Sequence, residues 1–168
     1  MINIQNNTEM KQKVKFSLFS IILTAAVLIL FVVGVFTLTG NEEKLTLFCI
    51  IMGMTTIAGL YFCPKSIEAN DHGITLHRLW SSPKVFLYST IQSVDTCYPS
   101  MGGIRLCASG GFFGYWGYFS DITIGSYLGY YGSRSNCILL RFNNGKQYVL
   151  GCNNPVALVN YIKSKMKE

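Results

Sequence analysis

The chain has 168 residues, a formal net charge of +6 and a hydrophobic content of 50%, yet only 13% of its residues are charged. A soluble domain carries about 25% charged residues, so this composition excludes a uniformly soluble chain of ordinary type. The deficit is local: charge is nearly absent between Lys15 and Glu42 and again between Lys44 and Lys65, and ordinary after Pro64.

Residues 1–16 form a polar tail, expected in the cytoplasm, that ends in Lys11, Lys13 and Lys15. The apolar run that follows, 17–39, spans 23 residues, or about 34 Å as a helix, enough to cross a hydrocarbon core of about 30 Å with some tilt. It is too long for the apolar core of a signal peptide, and no small-x-small cleavage pattern follows it. A second run, 45–63, has 19 residues and would reach about 28 Å. Only Gly40 to Lys44 separates the two, so the reading is an antiparallel transmembrane hairpin. Lys11, Lys13 and Lys15 before it, and Lys65, Arg78 and Lys84 after it, outweigh the single Lys44 of the connection. The positive-inside rule then puts both termini in the cytoplasm, with the short connection outside.

The six cysteines contain no C-x-x-C pair, and His72 and His77 lie far from them in sequence. Zinc ligation is disfavoured by that spacing, and disulfides by a reducing cytoplasm. The cysteines read as small buried hydrophobes, and no metal or cofactor is expected.

From residue 64 to 168 the pattern is short alternating strands with turn signals. Ser66–Asn70 and Gly73–Leu79 flank Asn70-Asp71-His72-Gly73. Val85–Tyr88, Ile91–Tyr98 and Ile104–Cys107 follow. Cys137–Phe142 and Lys146–Leu150 flank Asn143-Asn144-Gly145, a strong hairpin signal because Asn and Gly tolerate positive φ. The last element is a helix capped by Asn154 with Pro155 in its first turn. Val156, Leu158, Val159, Ile162 and Met166 share its apolar stripe. The expected class is therefore a membrane α-hairpin plus a mainly β, α+β domain: antiparallel sheets or an open barrel, stoppered by the C-terminal helix.

The run from Ile104 to Phe119, with its Gly110-Gly111-Phe112-Phe113-Gly114-Tyr115-Trp116-Gly117-Tyr118 centre, resembles the glycine-aromatic signature of bacterial pleckstrin-homology-like domains. Gly145 to Leu150, then Asn153-Asn154-Pro155, resemble that family's closing hairpin and helix start. Ser66-Ile67-Glu68 with Asp71-His72-Gly73-Ile74 resembles its first hairpin. The resemblance spans roughly residues 64–166 and implies two roughly orthogonal antiparallel sheets closed by a C-terminal helix, often behind transmembrane helices. Asn154 stands where the family often has an acidic residue, and Tyr130-Tyr131-Gly132-Ser133 replaces a more polar segment. The fold implies no activity by itself.

No catalytic constellation stands out. There is no G-x-S-x-G elbow, no glycine run leading to a phosphate-binding Lys-Ser or Lys-Thr, and no spacing that pairs Cys97 or Cys107 with His72 or His77. The glycine-aromatic tract has three readings: internal packing, contact with the bilayer interface, or a protein-binding surface. Phe112, Phe113, Tyr115, Trp116 and Tyr118 are its candidate contact residues. After Pro64 there are ten Lys or Arg against five acids. Lys163, Lys165 and Lys167 at the end of the last helix are candidate contacts for anionic lipid. Basic residues are too dispersed for nucleic acid. The expectation is a non-enzymatic, membrane-anchored interaction module whose partners are the lipid bilayer and a second protein or a further copy of itself. The other reading is a small transmembrane subunit whose hairpin assembles with other membrane proteins.

Overall fold

The computed structural model describes residues 9–100 and 103–166. Strand β1 (Met10–Lys13) leads into two helices, α1 (Leu18–Thr37) and α2 (Glu42–Phe62). Ser17 caps α1 by accepting from Ser20 N, and Asn41 caps α2 by accepting from Lys44 N. Glu42 and Glu43 therefore lie in the first turn of α2, where they complement the helix dipole, and α2 starts three residues earlier than its apolar run. At 20 and 21 residues both helices are about 30 Å long. Over an 18-residue stretch of each the mean hydropathy is 2.9 and 1.9, and length and composition suffice for each to cross a membrane.

Then come β2 (Pro64–Ala69), β3 (Gly73–Arg78), β4 (Lys84–Leu87), β5 (Ile91–Cys97), β6 (Ile104–Gly111), β7 (Gly114–Asp121), β8 (Gly125–Tyr131), β9 (Cys137–Phe142), β10 (Gln147–Gly151) and α3 (Pro155–Lys165). One sheet has the order β1-β2-β3-β4 and the other β5-β9-β10-β8-β7-β6. Every pairing is antiparallel except β8 with β10.

Between the two sheets and α3 lies an aliphatic core that includes Ile67, Ile74, Leu76, Ile138, Leu140, Leu150, Leu158 and Ile162. A second, smaller core is aromatic, built on Tyr115, Phe119, Tyr127 and Tyr131. Tyr115 stacks on Tyr131 at 5.0 Å between ring centroids, and Phe119 on Tyr127 at 5.4 Å. The buried hydroxyls of Tyr127 and Tyr131 are within 3.3 Å of each other, so the polar ends of these rings find a partner indoors.

Four expectations change. The N-terminal tail is not merely a tail, because β1 completes the first sheet by pairing with β2 from Met10↔Ala69 to Lys13↔Ser66. The glycine-aromatic tract supplies two whole strands, β7 and β8, and β6 extends to Gly111. Val156 is 59% exposed, so the buried stripe of α3 is Leu158, Val159 and Ile162. Cys107 is exposed, since β6 is the outer strand of its sheet; Cys63, Cys97, Cys137 and Cys152 are buried free thiols.

Candidate functional site

Chain order places both helix ends at one place. β1 delivers the chain to α1, and α2 hands it back to β2, the strand that pairs with β1. The turn between β6 and β7 reaches this junction. Gly111 and Gly114 face each other across the hairpin and leave Phe112 and Phe113 at its tip. Phe113 adopts φ 53°, an unusual conformation for a bulky residue. Two polar contacts hold the tip to α1. Ser20 Oγ donates to Gly111 O (2.5 Å) and Phe113 N donates to Thr24 Oγ1 (2.9 Å), while the Thr24 hydroxyl donates within the helix to Ser20 O (2.8 Å).

On the other flank, the phenyl ring of Phe113 lies so close to Gly59 that a Cβ there would sit 2.5 Å from it. Ser20 is the buried residue of α1 and Gly59 that of α2. Both are covered by this one hairpin tip. The rest of each helix presents apolar side chains outward, among them Phe36 at 75% exposure and Met54 at 67%.

The five aromatic candidates separate. Phe112 and Phe113 pack edge-to-face on each other (4.8 Å) at the tip. Trp116 stacks on Phe62, the last residue of α2, at 4.9 Å, and its Nε1 donates to Phe112 O. Tyr115 belongs to the core, which corrects its assignment as a contact residue. Period two along β7 turns it inward, away from Trp116. Tyr118 is 58% exposed but sits further along β7, paired with Leu128.

The lysines of α3 lie elsewhere. β2 starts at α2, so the Asn70–His72 turn is at the opposite end of the domain. Lys165 is 2.7 Å from Asp71 in that turn, and Lys163 is 3.1 Å from Asp95. Lys167 lies outside the described residues. Placement away from the helices and pairing with carboxylates both argue against lipid contact by Lys163 and Lys165.

Charge is segregated along the domain. Glu68 binds Lys11 (2.9 Å), with His77 at 3.3 Å, and Asp95 holds Arg141 and Lys163. The hydrogen bond from Lys11 keeps the Glu68 carboxyl below its ordinary value, against the effect of burial. Burial alone would raise Asp121, but bonds from Thr123 and Ser100 prevail and hold it well below the usual range. Close to the helices the balance reverses. Lys13, Lys15, Lys65, Arg78 and Arg134 are all there, and among the described residues no carboxylate pairs with any of them. The Arg134 guanidinium lies over the Tyr115 ring at 5.0 Å, and its Nε is enclosed with no hydrogen-bond partner. In sequence Lys65 and Arg78 flank the second apolar run and bear on its sidedness. Arg134 carried no local signal, because its proximity to the helices comes from the β8–β9 connection.

The remaining chemistry is sparse. Burial pushes the thiols of Cys97 and Cys152 up to about 12 and that of Cys137 well above its ordinary value, so all three stay protonated at neutral pH. His77 sits in the first sheet, against Glu68, whereas Cys97 and Cys107 belong to the second. Among the described residues no group of three or more His, Cys, Asp or Glu side chains is placed to hold a metal ion.

No curated protein and no solved structure matches this chain. A family model described as a bacterial PH domain matches residues 65–166, which takes in both sheets apart from β1 together with the closing helix. With two sheets, a stoppering C-terminal helix and that match over more than half its length, the chain belongs to the bacterial PH domain family.

Proposed function

We propose that α1 and α2 cross a bilayer as an antiparallel hairpin and that the PH domain is a non-catalytic interaction module seated against that bilayer. The observation that carries this is the β6–β7 tip. It inserts Phe112 and Phe113 beside the domain-proximal turns of two helices whose other apolar side chains are largely exposed. Thr24 lies six residues into α1, about 9 Å from its start, a depth that corresponds to the interfacial layer of a membrane. The hydrogen bonds to Ser20 and Thr24 satisfy polar groups that hydrocarbon would leave unpaired. The strand β1 ahead of α1 supports an internal, retained helix over a cleaved leader. The lysines beside the helix ends support a cytoplasmic domain, with Glu42 and Glu43 on the far side.

Carbonate extraction of membranes from cells making the full chain should leave it in the pellet. Protease should reach residues 64–168 from the cytoplasmic face alone. Release by carbonate would overturn the reading. Replacing Phe112 and Phe113 with serine should leave the chain in the membrane but expose the junction to proteolysis. Unchanged protection would mean that the tip does not seat the domain.

A protein partner has support of a different kind. β6 is an open sheet edge carrying exposed Ile104 (65%) and Leu106 (64%), the type of edge that natural proteins usually protect. Capture of a stoichiometric partner that charged substitutions at these two positions abolish would establish it. A monomer without partners in mild detergent would count against it.

A further inference from the structure

The loop between β3 and β4 is a second exposed apolar feature at the level of the helix ends. Arg78 pairs with Pro64 at the start of β2, and Leu79 N donates to the carbonyl of Cys63, the residue that caps α2 (2.9 Å). Leu79 and Trp80 are therefore next to the last turn of α2. Both point outward, Leu79 at 43% exposure and Trp80 at 63%, beside Tyr61 of α2 at 46%. The Arg78 guanidinium lies between the rings of Tyr61 (5.9 Å) and Tyr130 (5.7 Å). Apolar and amphipathic rings at this height, flanked by cations without carboxylate partners, match the chemistry of a headgroup layer: Trp prefers that depth and Lys and Arg meet phosphates there.

We infer that the face of the domain surrounding the helix ends is an anionic-phospholipid-binding surface, in which Leu79 and Trp80 enter the interface and Lys15, Lys65, Arg78 and Arg134 meet lipid phosphates. The inference rests on the bilayer-crossing reading above. Its occupant is argued from charge. Glu68, Asp71, Asp95 and Asp121 are each engaged within the domain, and among the described residues none of them pairs with Lys15, Lys65, Arg78 or Arg134.

The chain has two tryptophans, and Trp116→Phe leaves Trp80 as the sole reporter. The full-length variant is reconstituted in liposomes of phosphatidylcholine alone or with phosphatidylglycerol, each containing lipids brominated near the headgroup. Trp80 emission should shift to the blue and be quenched in the anionic liposomes, less so without phosphatidylglycerol or in high salt. Lys65→Gln or Arg134→Gln should each lower the seated-to-free ratio about five-fold, the equivalent of about 1 kcal/mol per basic residue at an anionic leaflet. Emission like that of tryptophan in water in every liposome overturns the inference, as does quenching indifferent to headgroup charge and salt. The difference signal between the native chain and Trp80→Phe gives the same readout should Trp116→Phe fail to fold. A chain that resists carbonate extraction while Trp80 stays in water sinks this inference alone; release by carbonate sinks the bilayer reading with it.

Discussion

Phe113 shows why single residues at the junction do not follow local preference. A left-handed φ of 53° costs a bulky residue something on the order of 1 kcal/mol or more. Gly114, with φ 92°, follows it without that penalty. The ring is kept because it fills the space over Gly59, so the backbone cost is offset by packing between domain and helix. Asp121 makes a comparable trade with charge. It is 5% exposed and accepts from Ser100 N (2.7 Å), Thr123 N (2.8 Å) and Thr123 Oγ1 (2.6 Å), which ties the segment after β5 to the turn after β7. Its folded-state pKa lies below the unfolded value of about 4. The stabilisation is therefore full above that value and is lost as pH falls through the lowered folded one. Asp121→Asn should cost about 2 kcal/mol at neutral pH, in the range for hydrogen bonds to a charged group. Unfolding curves of the two proteins should converge as the pH drops below 4. A gap of constant size would assign the loss to geometry alone and refute the charge argument.

Among the elements, α3 and β1 are joined although one ends the described chain and the other begins it. Asn154 Oδ1 caps α3 by accepting from Ala157 N, while its own backbone N donates to Gln12 Oε1 (2.7 Å) and its carbonyl accepts from Gln12 Nε2 (3.2 Å). Asn154→Ala should lower stability by about 1 kcal/mol, the usual loss for a missing cap. Gln12→Ala should cost less, because its partners are exposed to water. Thermal unfolding of the two variants and their combination checks this: the asparagine loss should persist undiminished without Gln12, because the cap bond to Ala157 does not involve it.

The cap at Asn154 was legible from an Asn-Pro pair ahead of an apolar stripe, and the loop holding Gly145 (φ 77°) from Asn-Gly. β1 was not, because four residues of mixed polarity acquire their role only from a partner more than fifty residues away. β7 and β8 were hidden for another reason. Trp116 packs on Phe62 from one side of β7 while Tyr115 and Phe119 fill the core from the other, so both faces read as aromatic and alternation disappears. The glycines have the same effect. A Cβ at Gly117, which has φ 115°, would meet Cys107 O at 2.3 Å, so its place in the strand depends on the neighbouring chain. The site was legible only in its materials. Sequence singled out Phe112, Phe113 and Trp116, which the structure brings together beside the helices, but assigned lipid contact to the lysines of α3, whose carboxylate partners Asp71 and Asp95 are distant in sequence.

At the scale of the molecule, the helices are an insertion in a β-hairpin. β1 and β2 pair antiparallel up to Lys13↔Ser66, and Val14 N donates to Lys65 O (3.0 Å), so the chain leaves the sheet at Val14 and resumes where it left off. The fifty intervening residues, 15–64, contribute Phe62 and little else to the aliphatic core. The domain should therefore survive their removal. Joining Val14 to Lys65 through Asn-Gly replaces the helices with a turn suited to twisted antiparallel strands. Phe112→Ser and Phe113→Asn in the same chain remove the apolar tip that would otherwise be bared, and Asn tolerates the left-handed backbone at 113. This chain should be soluble and unfold cooperatively with amide protection retained in β2, β9 and β10. It should be weaker than the parent by the lost Phe62–Trp116 stack, which beyond area burial is about 1 kcal/mol. A soluble but molten product would mean that the helices are part of the domain's fold, since an independent core does not need them to pack.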